Sequence, residues 1–402
     1  MERRVTPLRN QTEHDVIIVG ASIAGCRTAR TLAGAGIPVL LLDRAEFPRW
    51  KPCAGGLTLK ARPYLSGPLW DRVETTMTGA FFTWGRDYVT HLQARGPLGW
   101  MVHRESFDEA HLELARSQPG VTVALGVAVR EVEESRTGVR LETNRGPLEA
   151  RVGVGADGAK SVVSRAVPGH GQRLMGFAYE GEAWPGLDRE PLTHEAWFDF
   201  RTFPHGYGWI FPKTDHYSIG GFIYRRTLPG IKDRYREFCR ENPYLRGAET
   251  SRTRGHPIAL GGSRRPLNTR RILLAGEAGD LVDPLTGEGI YFALRSGHLA
   301  GEAVARFLEK GTTLDAYSAQ VRSDIQEDLH YGRVLADIFF RHPKLAYHLV
   351  FQNELLCRWF AEIRAGTRSY QDMVREAVTK GLFLPLHSRF SQRIEVELER
   401  VG

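Results

Sequence analysis

The sequence predicts an α/β protein with a Rossmann-like domain, a discontinuous second domain built on an antiparallel sheet, and a helical C-terminal region. Three observations predict this architecture. An apolar strand, a glycine-containing turn, a helix and a second apolar strand follow one another within residues 15–43. Aromatic residues recur at alternate positions in the segment PHGYGWIFP, as in a strand with one covered face. Residues 313–402 carry apolar clusters such as VLADIFF and LAYHLVFQNELL, which predict helices.

Length and composition are those of a globular protein of about two domains. The chain has 402 residues, of which 42% are hydrophobic and 25% are charged. No apolar run approaches the roughly 18 residues of a membrane span. The first residues, MERRVTPLRNQTEHD, lack the apolar core of a signal peptide. A cytoplasmic location is therefore expected.

The charge distribution and the spacing of the cysteines indicate which binding partners and which metal or disulfide sites are expected. The net charge of +7 is spread along the chain, and its arginine pairs are typical of solvated faces, so no nucleic-acid partner is expected. Attraction to an anionic membrane surface fits the same charge better, which leaves a location peripheral to the membrane as an alternative. No pair of cysteines has CxxC spacing, so neither a disulfide framework nor a metal site is predicted. The cysteines are Cys26, Cys53, Cys239 and Cys357.

The N-terminal unit predicts a dinucleotide site. Its turn carries Gly20-x-Ser22-x-x-Gly25, in which the first glycine makes the turn and the last lets helix and strand pack closely. The middle position must stay small so that backbone amides reach a pyrophosphate, and a serine hydroxyl there is able to donate to phosphate. Asp43 ends the second strand, 23 residues after Gly20, where a carboxylate should bind a ribose hydroxyl. The cofactor-binding residues expected in this unit are Gly20, Ser22, Ala24, Gly25, Asp43 and Arg44.

Two later segments distinguish FAD from NAD. VGVGADGAKSVVSR (152–165) predicts a strand followed by a helical stretch, and RILLAGEAGDLVDPLTGEGIYFALRSG (271–297) predicts a strand, a small-residue turn, a loop and a helix. With these segments the chain resembles the flavoprotein hydroxylase superfamily and, within it, the geranylgeranyl reductase family. The resemblance implies that the second segment holds the ribityl chain of FAD and that the helix start near Gly289 and Ile290 faces the flavin ring. Backbone N–H groups at a helix N-terminus stabilise the negative charge of a reduced flavin.

The same resemblance assigns further cofactor contacts. VHRESFDEAHL (102–112) is similar to the family segment V-x-R-x-x-F-D, whose arginine lies over the cofactor, and this role passes to Arg104. The family motif Gly-Asp reads Gly276-Glu277 here; glutamate still accepts bonds from the ribityl hydroxyls, but its extra methylene forces a shift. The other cofactor positions carried over are Val129, Asp157, Gly158, Gly276, Glu277, Pro284, Gly287, Gly289 and Ile290.

The segment FPRWKPCAGGLT (47–58) resembles the K-P-C-x-G-G-L loop of the reductases. Paired glycines let the backbone approach a flat ring closely. Cys53 has two interpretations, a small buried packing residue or a thiol beside the flavin that donates a proton or shapes the pocket. It is the candidate catalytic residue, and the expected cofactor contacts of this loop are Cys53, Ala54 and Gly56.

The segment PHGYGWIFP (204–212) either fills a core or lines an apolar site. It matches P-x-x-Y-x-W-x-F-P, which marks geranylgeranyl reductases and, by that resemblance, lines a polyprenyl cavity on the sheet of the second domain. The expected substrate-binding residues are Tyr207, Trp209 and Phe211. Strands at 80–84, 194–200 and 217–224 are expected in the same sheet.

These assignments divide the chain into three parts. The apolar faces of the last part are expected to belong to the core, to cap a lipid tunnel or to touch a membrane. The FAD-binding domain is expected at 1–75, 99–165 and 266–312, the substrate-binding sheet domain at 76–98 and 166–265, and the helical region at 313–402.

The resemblance implies an FAD-dependent reductase that saturates carbon–carbon double bonds of a lipophilic, polyprenyl substrate. Reduced flavin N5 would give a hydride to one alkene carbon and an acid would protonate the other. The electron donor, NAD(P)H or a reduced protein, has no site that the sequence reveals, because its one dinucleotide fingerprint is assigned to FAD.

Two alternatives remain open at this point. One is a flavin monooxygenase or halogenase of the same superfamily; residues 206–212 overlap the halogenase motif G-W-x-W-x-I-P but differ at Tyr207 and Phe211. The other is an electron-transfer flavoprotein that reduces a quinone. Relatives of that kind carry a clustered-cysteine iron–sulfur site, which four scattered cysteines do not form.

Overall fold

The fold combines two large sheets with a set of helices. The structure is a computed structural model that describes residues 13–65, 67–170, 172–186, 190–224, 229–379 and 391–396. The strands are β1 (Glu13–Val19), β2 (Val39–Leu42), β3 (Gly56–Thr58), β4 (Val73–Met77), β5 (Gly79–Trp84), β6 (Tyr88–Ala94), β7 (Gly99–Val102), β8 (Val121–Ala124), β9 (Val129–Glu134), β10 (Val139–Thr143), β11 (Gly146–Gly155), β12 (Leu174–Trp184), β13 (Glu195–Asp199), β14 (Gly206–Pro212), β15 (Tyr217–Ile223), β16 (Glu249–Leu260), β17 (Ile272–Leu274) and β18 (Ser391–Val396). The α-helices are α1 (Ile23–Gly34), α2 (Arg104–Arg116), α3 (Ile231–Glu241), α4 (Ile290–Lys310), α5 (Asp315–Val321), α6 (Glu327–Arg341), α7 (Pro343–Phe351), α8 (Glu354–Ala365) and α9 (Tyr370–Thr379).

The first sheet is the Rossmann-like one that the sequence predicts. Its order is β8-β2-β1-β11-β10-β9, and β17 also pairs with β11. The pairs β8–β2, β2–β1, β1–β11 and β11–β17 are parallel. Successive side chains of β1 enter different cores because strand side chains alternate between faces. Val16 and Ile18 pack in the cluster that includes α1 and α4, whereas Ile17 packs with β10 on the other face. This two-sided burial explains the continuous apolar run.

The second sheet has the order β16-β12-β15-β14-β13-β5-β6-β18. It includes the strands expected at 80–84, 194–200 and 217–224, which confirms that part of the prediction. The sheet is mostly antiparallel, but β5–β13 and β6–β18 are parallel pairs. The region expected to be helical therefore also contributes an edge strand. In β18, Ile394 and Val396 are buried while Arg393 and Glu395 are exposed, the alternation of a half-buried strand.

The C-terminal helices cover one face of this second sheet. Phe339 and Phe340 of α6 and Phe351 of α7 share an apolar cluster with Tyr207 and Trp209 of β14. A third, small sheet has the order β3-β7-β4, and the domain boundaries stay a prediction. None of the described helices is long and apolar enough to span a bilayer.

Strand β14 separates two different cores. Ile210 is fully buried in the cluster that contains Phe238 of α3, whereas Trp209 points to the opposite, helix-covered face. The indole lies against Gly220 of β15, where an added Cβ would come within 2.4 Å of a ring carbon. Glycine at that position therefore makes room for the Trp209 side chain.

Candidate flavin and substrate site

The glycine turn between β1 and α1 is closed by contacts that exclude larger side chains. Gly20 has a φ of +106°, and a Cβ there would lie 2.4 Å from the carbonyl oxygen of Ala156. A Cβ at Gly25 would lie 1.8 Å from the carbonyl oxygen of Gly20. The main-chain N–H of Ala21 donates to Asp43 Oδ2 at 2.8 Å, which ties the turn to the end of β2. The helix N-terminus formed in this way is a suitable anion site.

The carboxylate of Asp43 lies at the edge where a ribose is expected. It is buried, and its Oδ1 also accepts from the main-chain N–H of Ala45 at 2.9 Å. The next residue, Arg44, is exposed. The main-chain N–H of Val127 donates to the Asp43 carbonyl at 2.9 Å, so Val129, at the start of β9, follows a segment that touches the same edge.

Arg104, Asp108 and Ser22 form one buried polar cluster. Arg104 donates to both Asp108 oxygens, at 2.8 and 2.9 Å, and Ser22 Oγ donates to Asp108 Oδ2 at 2.8 Å. The single hydroxyl hydrogen of Ser22 is therefore directed at Asp108 and not at a phosphate. Burial favours the neutral acid, but the charge of Arg104 outweighs it and holds the pKa of Asp108 far below its usual range. The spacing of Arg104 and Asp108 (i, i+4) in the sequence is typical of an ion pair on one face of a helix.

The first of the two later segments, 152–165, contains a capped turn. Asp157 accepts bonds from the Ser161 hydroxyl at 2.6 Å and from the Val162 N–H at 2.7 Å. The helical stretch expected here is a single 3₁₀ turn, Val163–Ala166, because the Asp157 carboxylate organises only the residues that directly follow it. Burial raises the pKa of Asp157. Gly158, which follows, lines the cavity described below.

Glu277 stands where the family motif has aspartate, and its longer side chain reaches the main chain of β16. Its Oε1 accepts from the main-chain N–H of Ala259 in β16 at 3.2 Å, so one carboxylate oxygen is held by the second sheet. Its Oε2 faces Gly158 across 3.6 Å, measured to the position of an added Cβ. Gly276 has a φ of +59° and donates its N–H to Ser296 Oγ at 2.8 Å. The Gly276-Glu277 turn thus lies between α4 and β16.

The loop that precedes α4 is held by a buried network of charges. Asp283 accepts from the Leu285 N–H at 2.9 Å and from the Tyr370 hydroxyl at 2.7 Å. Arg364 of α8 lies 3.3 Å from Asp283 and 2.9 Å from Glu288. Buried carboxylates need such partners, and the C-terminal helices supply them here.

The other side of this loop contacts the aromatic strand. The hydroxyl of Tyr207 donates to the Thr286 carbonyl at 2.5 Å. Gly287 has a φ of +71°, and Gly289 caps α4, which begins at Ile290 as expected. Pro284 is buried within the loop. The expected flavin-facing loop and the expected substrate strand are therefore directly joined.

The loop that carries Cys53 is fixed by a buried lysine that the sequence analysis missed. Lys213 Nζ donates to the carbonyl oxygens of Ala54 at 2.8 Å and of Val102 at 2.9 Å. Gly55 has a φ of +70°, and a Cβ there would lie 2.0 Å from the Val102 oxygen. The Gly55 N–H in turn donates to Cys53 Sγ at 3.4 Å. Burial lowers the pKa of Lys213 to about 8. Lys213 directly follows Pro212, the last residue of the segment 204–212, and this position in the sequence could have identified it as a site residue.

A second missed residue is Glu180 of β12. Its side chain is buried and lines the cavity together with Cys53. Burial raises the pKa of Glu180 to about 8. The sequence alone does not reveal that Glu180 is buried, because a glutamate in a strand is normally exposed unless both faces of the sheet are covered.

The N-terminal ends of α1 and α4, the Cys53 loop and strand β14 surround one cavity of about 570 Å³. Its wall also includes Lys51 and the apolar side chains of α6, α7, α8 and α9. The predicted site residues that line it are Ser22, Ala24, Cys53, Ala54, Gly56, Arg104, Gly158, Tyr207, Trp209, Phe211, Glu277, Gly287, Gly289 and Ile290. The predicted residues that the structure describes outside this wall are Gly20, Gly25, Asp43, Arg44, Val129, Asp157, Gly276 and Pro284.

One group of side chains bears on the expectation of no metal site. His103, Glu182 and His216 bring nitrogen and oxygen atoms within 4.8 Å of one another. Arg252 Nε lies 3.7 Å from Glu182 Oε2, and its positive charge opposes a cation at this position. The group therefore does not change the expectation.

Comparison with known proteins identifies the family. A family model described as "FAD binding domain" matches residues 13–182. The geranylgeranyl diphosphate reductase of Rhodobacter capsulatus is 32% identical over 388 residues, which cover 93% of this chain and 94% of that protein. The chain belongs to the geranylgeranyl reductase family. Like the family, it is a flavin-dependent oxidoreductase that uses FAD.

Other members and structural neighbours extend this likeness. The digeranylgeranylglycerophospholipid reductase of Methanothrix thermoacetophila is 30% identical, covering 81% of this chain and 88% of that protein. A geranylgeranyl bacteriochlorophyll reductase-like protein from Thermoplasma acidophilum has a TM-score of 0.77 at 19% identity, covering 92% and 99% of the two chains. The flavin-dependent halogenase CmlS has a TM-score of 0.65 at 23% identity, covering 80% and 64%. Reductases and halogenases thus share this fold.

The residues present fit an FAD of this family. The positions where a Cβ would clash, Gly20 and Gly25, lie at the helix start that the pyrophosphate needs. The N-terminus of α4 has no side-chain cap, so its first N–H groups are available to a flavin ring. Arg104 and Lys51, both on the cavity wall, supply positive charge beside it.

Proposed function

We propose that this protein saturates carbon–carbon double bonds of a polyprenyl group with electrons from reduced FAD. One observation carries the proposal: the helix starts expected to hold FAD, the Cys53 loop and the aromatic strand all line the same cavity. Bound FAD would supply the hydride. The chain itself would bind and orient the prenyl group, exclude water and provide a proton.

The wall of the cavity suits an isoprenoid chain. Tyr207, Trp209 and Phe211 alternate along β14 and all face the cavity, and Phe198 of β13 adds a further ring. Burying an apolar chain contributes roughly 0.8 kcal/mol per CH₂ group, so such a wall binds a long prenyl chain without polar contacts. Both relatives named above are reductases of geranylgeranyl compounds, which supports this substrate class.

The FAD would be held along its length by three regions. The glycine turn with Gly20 and Gly25 would hold the pyrophosphate, and Asp43 the ribose. Glu277, whose Oε2 faces Gly158 on the cavity wall, would accept from the ribityl hydroxyls. The N-terminus of α4 at Ile290 would face the ring, where it favours negative charge.

Cys53 would lie on the substrate side of the flavin ring. Its loop is fixed by Gly55 and Lys213, and its side chain lines the cavity. A thiol at this place would shape the pocket or assist protonation.

The mouth of the cavity would face a membrane. Val334 and Ile338 line the cavity, yet their side chains are 44% and 60% exposed. Leu345 of α7 is 57% exposed, and Arg341 and Lys344 beside it are exposed cations. Exposed apolar side chains next to basic ones are typical of a surface that binds anionic lipid. A polyprenyl lipid would enter from this surface.

The test is an anaerobic assay with reduced FAD and a panel of prenyl substrates, namely geranylgeranyl diphosphate and a geranylgeranylated glycerophospholipid. We expect the product mass to rise by one hydrogen pair per reduced bond, without oxygen or halide. A product that gains one oxygen atom only in air would establish a monooxygenase, and one that gains a halogen would establish a halogenase. Running the assay with NAD(P)H, or with a reduced ferredoxin, in place of chemical reductant would identify the electron donor.

A further inference from the structure

Glu180 is placed where a proton is needed. It lies on β12 with 6% of its surface exposed, and its side chain lines the cavity together with Cys53 and Trp209. The main-chain N–H of Cys53 favours the ionised form of its carboxyl group, an interaction of short range, so Glu180 lies next to the loop that the proposed function places beside the flavin.

Burial keeps the carboxyl group of Glu180 protonated near neutral pH, and the two positive charges near it only partly offset this effect. Burial raises its pKa, while Lys213 from the end of β14 and Arg104 from α2 act in the opposite direction. Glu182 on the same strand raises it further. Arg254 is opposite in register on β16, but its side chain is exposed. The result is a pKa of about 8, which suits a general acid at neutral pH.

We propose that Glu180 is the acid that protonates the prenyl double bond. The inference rests on the proposed function. Bound reduced FAD would supply the hydride for one alkene carbon and would be oxidised by its loss. The O–H proton of Glu180 would form the C–H bond at the other carbon as the π bond is lost, which leaves Glu180 as a carboxylate until solvent returns a proton before the next turnover.

The neighbouring glutamate provides a matched control. Glu182 lies two residues along β12 and is also buried, so a change to glutamine has the same chemistry and a similar environment. Its carboxylate, however, lies 3.4 Å from His103 and 3.7 Å from Arg252 and is outside the cavity wall that the structure describes.

The first measurement does not depend on turnover. Infrared difference spectroscopy during a pH titration should show the carbonyl stretch of a protonated carboxylic acid that disappears through about pH 8. This band should be absent in Glu180→Gln and retained in Glu182→Gln. A titration in which Glu180 is already ionised at pH 6 would overturn the proposal.

The second measurement is the single-turnover rate of alkene reduction at saturating FAD and lipid. Loss of a general acid lowers rates by about 10²- to 10⁴-fold, so Glu180→Gln should fall in this range with unchanged FAD and lipid affinity. The wild-type rate should fall tenfold per pH unit above about pH 8, and this limb should vanish in the variant. Glu182→Gln should keep the rate at low pH and retain the limb, which should move to lower pH because the charge of Glu182 no longer raises the pKa of Glu180.

Three outcomes separate the possibilities. A fully active Glu180→Gln with the alkaline limb intact would overturn the role of Glu180 and leave the reductase standing. A wild-type protein that reduces no prenyl substrate would overturn the proposed function, and the role of Glu180 with it, whatever the infrared titration shows. If Glu180→Gln folds poorly, Glu180→Ala with added acetate replaces it, and rescue that fails to follow the protonated fraction of acetate contradicts the proposal.

Discussion

Lys213 Nζ donates to the carbonyl oxygen of Ala54 at 2.8 Å, and this bond joins the end of the aromatic strand to the loop that carries Cys53. A second bond, to Val102 at 2.9 Å, ties the same ammonium to β7. Lysine is rarely buried without such partners. The side chain of Lys213 therefore connects the segments 204–212 and 47–58, which are far apart in the chain.

Changing Lys213 to methionine should loosen the Cys53 loop. The substitution keeps the length of the side chain but removes the donor from the half-buried Ala54 carbonyl and the buried Val102 carbonyl. An unsatisfied buried group costs about 1–3 kcal/mol. We expect the unfolding free energy in urea to fall by about this amount and Cys53 to react faster with a maleimide, as followed by peptide mass spectrometry. Lys160→Met, at an exposed position, is the control. Unchanged stability and labelling would contradict the connection.

Gly25→Val should abolish FAD binding. The new Cβ would lie 1.8 Å from the Gly20 carbonyl oxygen, so α1 must move away from the turn that faces the pyrophosphate. The measurement is the amount of flavin bound per protein, with circular dichroism to verify folding. Gly34→Ala, near the end of the same helix, places its Cβ in open space and should retain FAD. Stoichiometric FAD in Gly25→Val would refute the assigned turn.

Local signals were enough for the first sheet and for the start of α4. The unit from β1 to β2 is contiguous in sequence, and its apolar runs follow from burial on both faces. Strand β18 was missed because its partner, β6, lies far earlier in the chain and nothing local specifies that pairing. The hydrogen bond from Ser22 was missed for a similar reason, since the residue that accepts it, Asp108, comes from α2.

The missed site residues share one physical cause. Glu180 and Lys213 are ordinary charged residues in the sequence, and their pKa values are displaced only because distant elements bury them. The aromatic residues of β14 are the opposite case, because the sequence identified them but not their surroundings. Alternation predicted that Tyr207, Trp209 and Phe211 share a face, but not whether that face met a core or a cavity. Both are present, since the helices that pack on this face also wall the cavity.

Cys53→Ala should lower turnover more than it lowers FAD affinity. Cys53 Sγ lies on the cavity wall and accepts the Gly55 N–H, so its loss changes the surface offered to the substrate while the glycine turn and α4 stay intact. Turnover number and the dissociation constant of FAD are the two measurements. Cys239→Ala, on α3, should change neither. If the turnover number and the FAD affinity fall by the same factor, Cys53 acts only as a packing residue.

Trp209→Ala should weaken lipid binding by about 1 to 3 kcal/mol, because it removes one of the largest apolar surfaces of the cavity. FAD content should not change. Isothermal titration with a non-reactive prenyl lipid measures the effect. Ile210→Val, on the opposite face of β14, should cost about 0.5–1.5 kcal/mol of unfolding free energy and leave the lipid affinity unchanged. Equal effects of both variants on lipid binding would mean that the aromatic side chains of β14 affect binding only through the stability of the sheet.

Ile338→Glu should detach the protein from membranes. Ile338 is 60% exposed on α6, close in sequence to the exposed cations Arg341 and Lys344, and fully burying an isoleucine is worth about 1.5–3 kcal/mol. The variant should therefore bind vesicles that contain phosphatidylglycerol at least about tenfold more weakly in a sedimentation assay. Thr137→Glu introduces the same charge on the exposed β9–β10 turn and should bind like the wild type. High salt or neutral vesicles should also weaken wild-type binding, because the cations contribute through long-range attraction. If the wild type ignores all these vesicles, or if Ile338→Glu binds them equally well, the rim of the cavity does not contact the membrane and the lipid must reach it by another route.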